Sequence, residues 1–448
     1  MKNKSLEPWL PCQSYCQMNG AAAAILSFQN TKVVLNAPSW CSLVLERELM
    51  AYQRDLSKRL YCSHIEQADL LFGTGDRIRE IVEDQQRENP ETSLLAVLTS
   101  CSVGLIGDDV SAIVTDMEQG CPLITLDAGG LTGLFEEGYQ TAMLAILEKL
   151  DLQKADVRQP KRVNLIGYCG YYPDSRGDLI ELKRLLTEAG FEPGICPGES
   201  GLDLQELKDL SAASLNIVIS PELGLRTARY LQEKTGVDYA VLPVPYGCSQ
   251  TLEWLKKIGE HLSMAPDLKT LEQEAFVLQE NILEEVDALK RIISNLSFKQ
   301  AILALPYTQA KGLGRALQDD ILEVETVEYK IQGNYDGEEG TIQDDDGSTL
   351  TEAKESDYKT KTESGASIRN SNEEEWLASD YRLLFGTFAD RSLTGDYDCT
   401  IYLNMFKADG LIRRKYRTFV GLEGWGSLIE EIVEQTLTLY FLKEERRT

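Results

Sequence analysis

The sequence has no long hydrophobic run and little histidine. No apolar stretch approaches the roughly 20 residues that a membrane-spanning helix requires, and residues 1–8 contain no hydrophobic secretory segment. We therefore expect a cytoplasmic protein that does not enter a membrane. The only two histidines are His64 and His261. Either could donate a proton, but we expect both on the solvated surface.

Positive charge is also scarce. The chain carries 45 lysines and arginines against 72 aspartates and glutamates, a formal net charge of −27 at pH 7. Most of such a surface would repel nucleic acid, which argues against a nucleic-acid-binding protein. A macromolecular partner is instead expected to present a basic face to part of this surface.

Two short motifs are missing from the sequence. No Gly-x-x-x-x-Gly-Lys-Ser/Thr occurs, so the chain has no P-loop to hold ATP. The most similar glycine-rich turn, 311–316, is typical of an ordinary strand-to-helix connection. No Cys-x-x-Cys pair occurs among the ten cysteines either. In a reducing compartment such thiols are inert core residues, ligands or nucleophiles, and their positions must decide which.

The sequence does contain a regular alternation of short apolar runs and amphipathic helices. A hydrophobic share of 43% and a charged share of 26% are those of an ordinary globular protein, and 448 residues are too many for one hydrophobic core. Strand–helix alternation at this spacing predicts an α/β fold with parallel sheets flanked by helices. The predicted strands are 32–35, 94–98, 123–126, 162–166, 215–219, 239–241, 300–305 and 381–384.

Composition divides the chain into three predicted Rossmann-like units. The first spans 1–155 and the second 156–267, because a polar stretch separates them. A connecting helix, 268–298, leads into a third unit, 299–448. Within that unit, 333–375 is rich in Asp, Glu, Gly, Ser and Thr and cannot bury enough apolar surface to offset its ordering entropy. We expect a mobile acidic insertion there.

Three cysteines of the first unit lie where parallel α/β sheets bind ligands. Cys41 lies between a predicted strand and a helix expected over 42–52. Cys101 directly follows another predicted strand, ahead of a helix that begins near Asp108. Both loops belong to the carboxyl edge of the sheet. Cys16 directly precedes a further predicted helix, where amide donors and the helix dipole stabilise a thiolate.

Three thiolates at one sheet edge favour an iron–sulfur cluster, which binds soft sulfur ligands and normally takes four of them. The sequence therefore predicts Cys16, Cys41 and Cys101 as cluster ligands. The chain offers three such ligands and not four. A cluster that bridges two subunits would explain this, because the second subunit would supply the remaining ligands. The alternative is that these thiols are only packed in the core, as free cysteines often are. Asp108 and Asp109 could tune the cluster potential, although helix capping is the simpler role.

The remaining cysteines form two groups. We interpret the first as core or loop thiols, with Cys12 an alternative to Cys16. The second should lie at the carboxyl edge of the second unit. There its members line a substrate cavity, hold a second metal centre or, as we favour, are inert buried thiols. The first group is Cys12, Cys62, Cys121 and Cys399, and the second is Cys169, Cys196 and Cys248.

The stretch 99–109, Thr-Ser-Cys-Ser-Val-Gly-Leu-Ile-Gly-Asp-Asp, closely resembles the third cluster-cysteine motif of nitrogenase component 1 α-type subunits. Cys16 with the following Gly20 resembles the first motif, and Pro38-Ser-Trp-Cys41 resembles the second. The spacings, 25 residues from Cys16 to Cys41 and 60 from Cys41 to Cys101, are also similar to those of the family. The resemblance covers nearly the whole chain except the acidic insertion. Its further matches are 68–73, 215–224, 242–247 and 420–424.

The resemblance implies an oxidoreductase subunit of the nitrogenase-like kind. Cys16, Cys41 and Cys101 would hold an iron–sulfur cluster, of the 4Fe-4S or P-cluster type, between two related component 1 subunits in a homodimer or a heterotetramer. A separate ATP-dependent P-loop reductase homodimer would pass electrons to this cluster. From there they would reach a small-molecule substrate in the cleft between the three units.

One departure from the family limits this expectation. Nitrogenase α subunits bind an iron–molybdenum cofactor through one Cys and one His, and those positions correspond to Ser220 and Val420 here. We therefore do not expect a dinitrogen-reducing cofactor site of the usual kind. Relatives that reduce a conjugated double bond in a tetrapyrrole, or that build the cofactor on a scaffold, are better comparisons. A catalytic reductase subunit is our first hypothesis, an assembly scaffold the second, and a non-redox ligand-binding protein the third.

Overall fold

A computed structural model describes residues 16–49, 56–117, 121–172, 174–319, 322, 324–329, 380–386, 400–404 and 417–447. Cys12, Cys399 and the predicted insertion 333–375 lie outside these ranges. The described residues form three four-stranded sheets, and the strand pairings within each sheet are parallel. The predicted fold class, α/β with parallel sheets flanked by helices, is confirmed.

The first sheet contains β1 (Thr31–Asn36), β2 (Leu60–Cys62), β3 (Leu94–Thr99) and β4 (Leu123–Asp127). Its strand order is β2-β1-β3-β4. β1 and β3 are buried along their whole length, as expected for central parallel strands covered on both faces. The helices of this unit are α1 (Gln17–Leu26), α2 (Ser39–Leu49), α3 (Gln67–Phe72), α4 (Gly75–Glu88), α5 (Cys101–Ile106), α6 (Val110–Val114) and α7 (Phe135–Lys149).

The second sheet repeats the same strand order. It contains β5 (Gln159–Ile166), β6 (Glu192–Pro193), β7 (Ala213–Val218) and β8 (Tyr239–Val241). These strands are arranged as β6-β5-β7-β8. The helices that follow its strands are α8 (Ser175–Glu188), α9 (Pro221–Thr235) and α10 (Gly247–Leu262), and α11 (Lys269–Ile292) leads to the third sheet.

The third sheet again has this order. It contains β9 (Ser297–Leu303), β10 (Thr326–Tyr329), β11 (Asp380–Gly386) and β12 (Thr400–Asn404). The order is β10-β9-β11-β12. The described ranges of this unit contain the helices α12 (Tyr307–Asp319) and α13 (Gly421–Arg447). None of the helices in the described ranges is long and apolar enough to cross a bilayer.

Apolar cores join neighbouring units. One core contains side chains of the first and second units, among them Leu98 and Leu223. Another joins the second and third units, where Leu185 and the fully buried Trp425 belong to one cluster. A smaller core covers the other face of the first sheet around Ile78. Because each large core is shared between two units, close packing holds the carboxyl edges of the sheets in defined relative positions.

Several details differ from the sequence predictions. The helix predicted to begin near Asp108 is preceded by α5, whose last residue is Ile106 and whose C-cap, Gly107, has the left-handed conformation (φ 77°). Cys101 therefore begins a helix instead of lying in a loop. The edge strands β2, β6, β10 and β12 were not predicted, because they are short or partly polar, and β6 has only 2 residues. The strand β9 begins inside the segment predicted as the connecting helix. The unit boundaries themselves stay predictions.

Candidate functional site

Cys41 and Cys101 lie at the carboxyl edge of the first sheet, where its strand order reverses. β1 and β3 are neighbours, with Asn36 opposite Thr99, and their connections lead to opposite sides of the sheet, which leaves a crevice between the two loops. Cys41 lies in the first turn of α2, a helix that it was predicted to precede, and Cys101 is the first residue of α5. Ser100 N donates to Asn36 O at 3.1 Å and holds the loops together.

Cys16 lies at the N-terminus of α1, as predicted. It is the N-cap residue, and its carbonyl oxygen accepts a hydrogen bond from Asn19 N at 3.0 Å. It also forms an isolated antiparallel bridge with Leu134, directly ahead of α7. The backbones of α1 and α7 approach each other closely, since a Cβ atom on Gly20 would overlap the carbonyl oxygen of Phe135. This packing brings Cys16 to the loop between β4 and α7.

Two glycines of that loop contact two of the thiols. A Cβ atom built on Gly129 would lie 3.1 Å from Cys101 Sγ, and one built on Gly130 would lie 3.1 Å from Cys16 Sγ. Both distances are shorter than ordinary van der Waals contact, so the loop passes directly beside both sulfurs. The sequence predictions missed these glycines. A Gly-Gly pair after a predicted strand was the available signal, because it marks the same sheet edge.

The three thiols share one electrostatic environment. The pKa of Cys41 is raised to about 11, first by burial and then by the neighbouring sulfurs of Cys16, Cys101 and Cys62. Burial also raises the pKa of Cys16, against the opposing effect of hydrogen bonds from backbone amides that include Gly130. A positively charged metal centre would lower the pKa values of Cys16 and Cys41 and favour their thiolates.

An iron–sulfur cluster suits these donors. All three cysteines are half-buried, so each sulfur is supported by the protein and open on one side. Ser100 Oγ, beside Cys101, is buried without a hydrogen-bond partner. Among the described residues, no three His, Cys, Asp or Glu side chains are close enough to hold one metal ion. The ligands of a cluster bind separate iron atoms and therefore lie farther apart than the ligands of a single ion.

Large apolar side chains are exposed around the thiols. Trp40, next to Cys41, is 63% exposed, Leu105 on α5 is 77% exposed, and Leu131 beside Gly130 is 75% exposed. Exposed apolar side chains gathered in one patch mark contact surfaces more often than free ones. We call Trp40, Leu105 and Leu131 the thiol-face patch. Its position beside the sulfurs makes this sheet edge suitable for contact with another protein.

A cavity of about 60 Å³ lies at the corresponding point of the second sheet, after β5 and β7. Cys169 and Ser220 follow those strands, and Val420, ahead of α13, lines the same cavity. Both Ser220 and Val420, the positions predicted from the resemblance to replace the cofactor ligands, therefore line one cavity, and their correspondence to those ligands stays a prediction. A larger cavity, about 720 Å³, opens near Lys32 at the amino end of β1, away from the thiols.

The second group of cysteines does not converge at this cavity. Cys169 lines it, whereas Cys196 and Cys248 are buried elsewhere in the core. The interpretation of these three cysteines as inert buried thiols stays a prediction. Cys121 is buried and Cys62 half-buried, each packed against an apolar core.

Buried carboxyl groups near the cavity were not predicted. Asp178 lines the cavity and accepts a hydrogen bond from Thr418 Oγ1 at 2.8 Å, and burial raises its pKa to about 7. Burial also raises the pKa of Glu136 to about 7, and Glu222 is only 6% exposed. Each belongs to an amphipathic helix, and the sequence pattern does not distinguish a buried acidic residue from an exposed one on such a helix.

The other polar candidates have simple roles. Asp109 caps α6, where its carboxylate accepts a hydrogen bond from Ala112 N at 2.9 Å. Asp108 instead accepts hydrogen bonds from the backbone nitrogen and the hydroxyl of Thr74, at 2.6 and 2.8 Å. The capping prediction is thus confirmed for Asp109 only. His64 and His261 are both exposed, as predicted.

Comparison with known proteins identifies the family. The profile described as "Nitrogenase component 1 type Oxidoreductase" matches residues 16–437. The chain belongs to this family. The fold agrees, because the solved structure "Nitrogenase Cp1 at pH 6.5" superimposes with a TM-score of 0.67 at 14% sequence identity and covers 97% of this chain and 91% of that chain.

Relatives within the nitrogenase component 1 family include proteins with different named activities. A light-independent protochlorophyllide reductase polypeptide from Chloroflexus aurantiacus is 29% identical over 257 residues, which are 55% of this chain and 45% of the relative. The nitrogenase iron-iron protein beta chain of Rhodobacter capsulatus is 24% identical over 55% of this chain and 57% of the relative. The chain thus spans about half the length of the relatives it matches.

Proposed function

We propose that this family member is a reductase subunit that holds an iron–sulfur cluster through Cys16, Cys41 and Cys101. The supporting observation is that three half-buried thiols lie at one sheet edge, with Gly129 and Gly130 of a single loop directly against Cys101 and Cys16. Soft thiolate donors favour iron–sulfur clusters over hard cations. When bound, such a cluster would accept and release single electrons.

A second component 1 subunit is part of the proposal. Three thiolates from one chain leave a cluster short of its usual four ligands, and a neighbouring subunit can supply the remainder. The exposed Trp40, Leu105 and Leu131 of the thiol-face patch give that neighbour an apolar surface to cover. The partner is either a second copy of this chain, in a homodimer, or a related subunit, in a heterotetramer.

The proposed electron donor is a separate ATP-dependent P-loop reductase homodimer, since this chain has no P-loop of its own. Electrons arriving at the thiol face would move toward the cavity after β5 and β7, where a small molecule would bind. The helix α7 connects the thiol face with the region behind this cavity. The residue ahead of α7, Leu134, pairs with Cys16, and Gln140 in its second turn donates to Glu222 O at 2.9 Å behind the cavity.

A cofactor-assembly scaffold is the alternative function. The observation that favours it is the small cavity, about 60 Å³, against the roughly 300 Å³ or more of typical ligand sites. A scaffold would hold a cluster on the same thiols but would not turn over a small substrate. Both functions therefore use the same cluster ligands, but only a reductase would transfer electrons continuously.

ATP-dependent oxidation of dithionite separates these functions. We expect the anaerobically purified parent protein, with its cognate reductase and MgATP, to oxidise dithionite continuously, with solvent protons as an acceptor that is always present. Cys101→Ala should abolish this reaction, while Cys196→Ala, which changes a buried cysteine away from the thiol face, should retain it. A single burst of electron uptake would identify a scaffold. Absence of any ATP-dependent uptake would contradict both functions.

A further inference from the structure

The cavity of about 720 Å³ at the amino end of β1 has no part in the proposed electron path. Its volume lies within the roughly 300–1,000 Å³ of small-molecule sites. Its wall comes from the turn between α1 and β1, the segment that leads into β2, the loop between α4 and β3, and residues of the second unit. Because the thiols lie at the opposite edge of the sheet, a ligand here would occupy a separate site.

The charge of this cavity is opposite to that of the whole chain, which has a net charge of −27. Three basic side chains, Lys32, Lys58 and Arg59, line the cavity. The only acidic side chain in the described wall is Glu91, which is exposed. Three positive charges minus one negative charge give the wall a formal charge of +2. A basic cleft in an acidic protein concentrates anions, so the ligand is expected to be negatively charged.

Lys32 is a buried cation that the described residues do not neutralise. It is 6% exposed. Its ammonium donates to Tyr61 Oη at 3.2 Å and to Lys58 O at 3.4 Å, and it lies 5.3 Å from the centre of the Tyr61 ring. These partners are neutral oxygens and a neutral ring, whereas buried lysines are normally paired with an opposite charge. A bound anion would supply that charge.

Thr92 provides an independent indication of a ligand. It is 7% exposed and lines the same cavity, and its Oγ1 atom is buried without a hydrogen-bond partner in the described part of the chain. The following residue, Ser93, donates from its backbone nitrogen to Asn30 O at 2.8 Å, which holds this segment beside the end of β1. Buried hydroxyl groups nearly always have a partner. An oxygen atom of a ligand would accept this hydrogen bond.

The donors favour a phosphate group over a carboxylate. Arg59 Nε donates to Thr31 O at 2.9 Å, and Arg59 Nη2 donates to Phe28 O at 2.5 Å and to Thr31 Oγ1 at 2.6 Å. The edge of the guanidinium that could hold a carboxylate through two parallel bonds is therefore occupied. Lys32 and Lys58 instead act as point charges, which is the usual way in which lysine binds phosphate.

We propose that this cavity binds a small molecule that carries a phosphate or diphosphate group. Lys32 and Lys58 neutralise the phosphate, and Thr92 Oγ1 donates to one of the ligand's oxygen atoms. The site uses none of the three cluster cysteines and does not depend on electron transfer. It therefore adds a binding function to the proposed reductase function, and either can fail without the other.

Calorimetric titration of the full-length protein with inorganic pyrophosphate tests the site, after dialysis at high salt and then at constant ionic strength. We expect the parent to bind pyrophosphate, and Lys32→Met and Lys58→Met each to bind it about tenfold more weakly or worse. Lys269→Met, at an exposed lysine of α11, should bind as the parent does. Tricarballylate, a carboxylate of similar charge, should bind the parent at least about tenfold more weakly than pyrophosphate.

Three results would overturn the proposal. They are a parent that does not bind pyrophosphate, a Lys32→Met variant that binds it as tightly as the parent, and tricarballylate that binds as tightly as pyrophosphate. Saturating pyrophosphate should also raise the melting temperature of the parent, by binding the folded state, and should raise that of Lys32→Met far less. Equal increases in the two proteins would contradict binding at Lys32.

Thr92→Val separates ligand binding from a structural role and decides the question if Lys32→Met does not fold. Because Thr92 Oγ1 has no hydrogen-bond partner among the described residues, valine removes the hydroxyl and keeps the shape without breaking a contact. The variant should melt at the temperature of the parent or above it, yet bind pyrophosphate about tenfold more weakly. Equal affinity of the parent and Thr92→Val for pyrophosphate would overturn the site.

Discussion

At the scale of single residues, Gly129 and Gly130 leave little room for a side chain directly beside the thiols. A methyl group on Gly129 would lie 3.1 Å from Cys101 Sγ and 3.2 Å from its Cα and backbone nitrogen, so the first turn of α5 would have to move. Gly129→Ala should therefore lower the iron content of anaerobically purified protein while leaving it folded. Gly104→Ala, in the same short helix as Cys101 but with open space at its Cβ, is the matched control. Equal iron loss in both variants would contradict a specific role for this loop.

The buried acids predict a pH dependence of stability. Glu136 and Asp178 have pKa values raised to about 7 in the folded protein, so the folded state keeps protons that the unfolded chain has already released. The free energy of unfolding should then fall as the pH rises from about 4.5 to 7. Between pH 5.5 and 8, Glu136 alone should account for about 2 kcal/mol. Urea unfolding of Glu136→Gln should show a correspondingly smaller decrease, and an undiminished decrease would contradict the assignment.

At the scale of secondary structure, the contact between α1 and α7 positions Cys16. A Cβ atom on Gly20 would overlap the carbonyl oxygen of Phe135, and one on Gly138 would overlap that of Gln17. Gly20→Ala should push the helices apart, cost about 1–3 kcal/mol of stability and reduce the iron content by displacing Cys16. Thermal unfolding together with iron analysis measures both effects. A variant with wild-type stability would show that the helices do not approach as closely as described.

Much of the secondary structure could be predicted from the sequence. β1 and β3 are apolar runs bounded by loops, so their positions were predicted to within one or two residues, and Cys41 and Cys101 could be assigned to one edge. β6 could not be found because Glu192 and Pro193 carry no strand signal. The burial of Glu136 and Glu222 depends on how α7 packs on α9, and such packing between distant segments leaves no local pattern in the sequence.

At the scale of the whole molecule, the thiol-face patch predicts that a neighbouring subunit binds to the side of the protein that carries the thiols. Leu105, four residues after Cys101, and Leu131, next to Gly130, are 77% and 75% exposed. The double substitution Leu105→Lys with Leu131→Lys should weaken the complex with the neighbouring component 1 subunit at least about tenfold, because it would bury two unpaired charges in an apolar contact. Leu283→Lys, at an apolar residue of α11 that is 45% exposed, is the control. Sedimentation under anaerobic conditions measures the difference, and equal effects would contradict the assigned surface.

The central claim is that Cys16, Cys41 and Cys101 bind one iron–sulfur cluster together. Metal analysis tests this claim most directly. We predict that anaerobically purified parent protein contains iron and acid-labile sulfide. Cys16→Ala, Cys41→Ala and Cys101→Ala should each lose most of both, and Cys196→Ala should retain them. Iron and sulfide that are absent from the parent, or that are present equally in all four variants, would contradict the account.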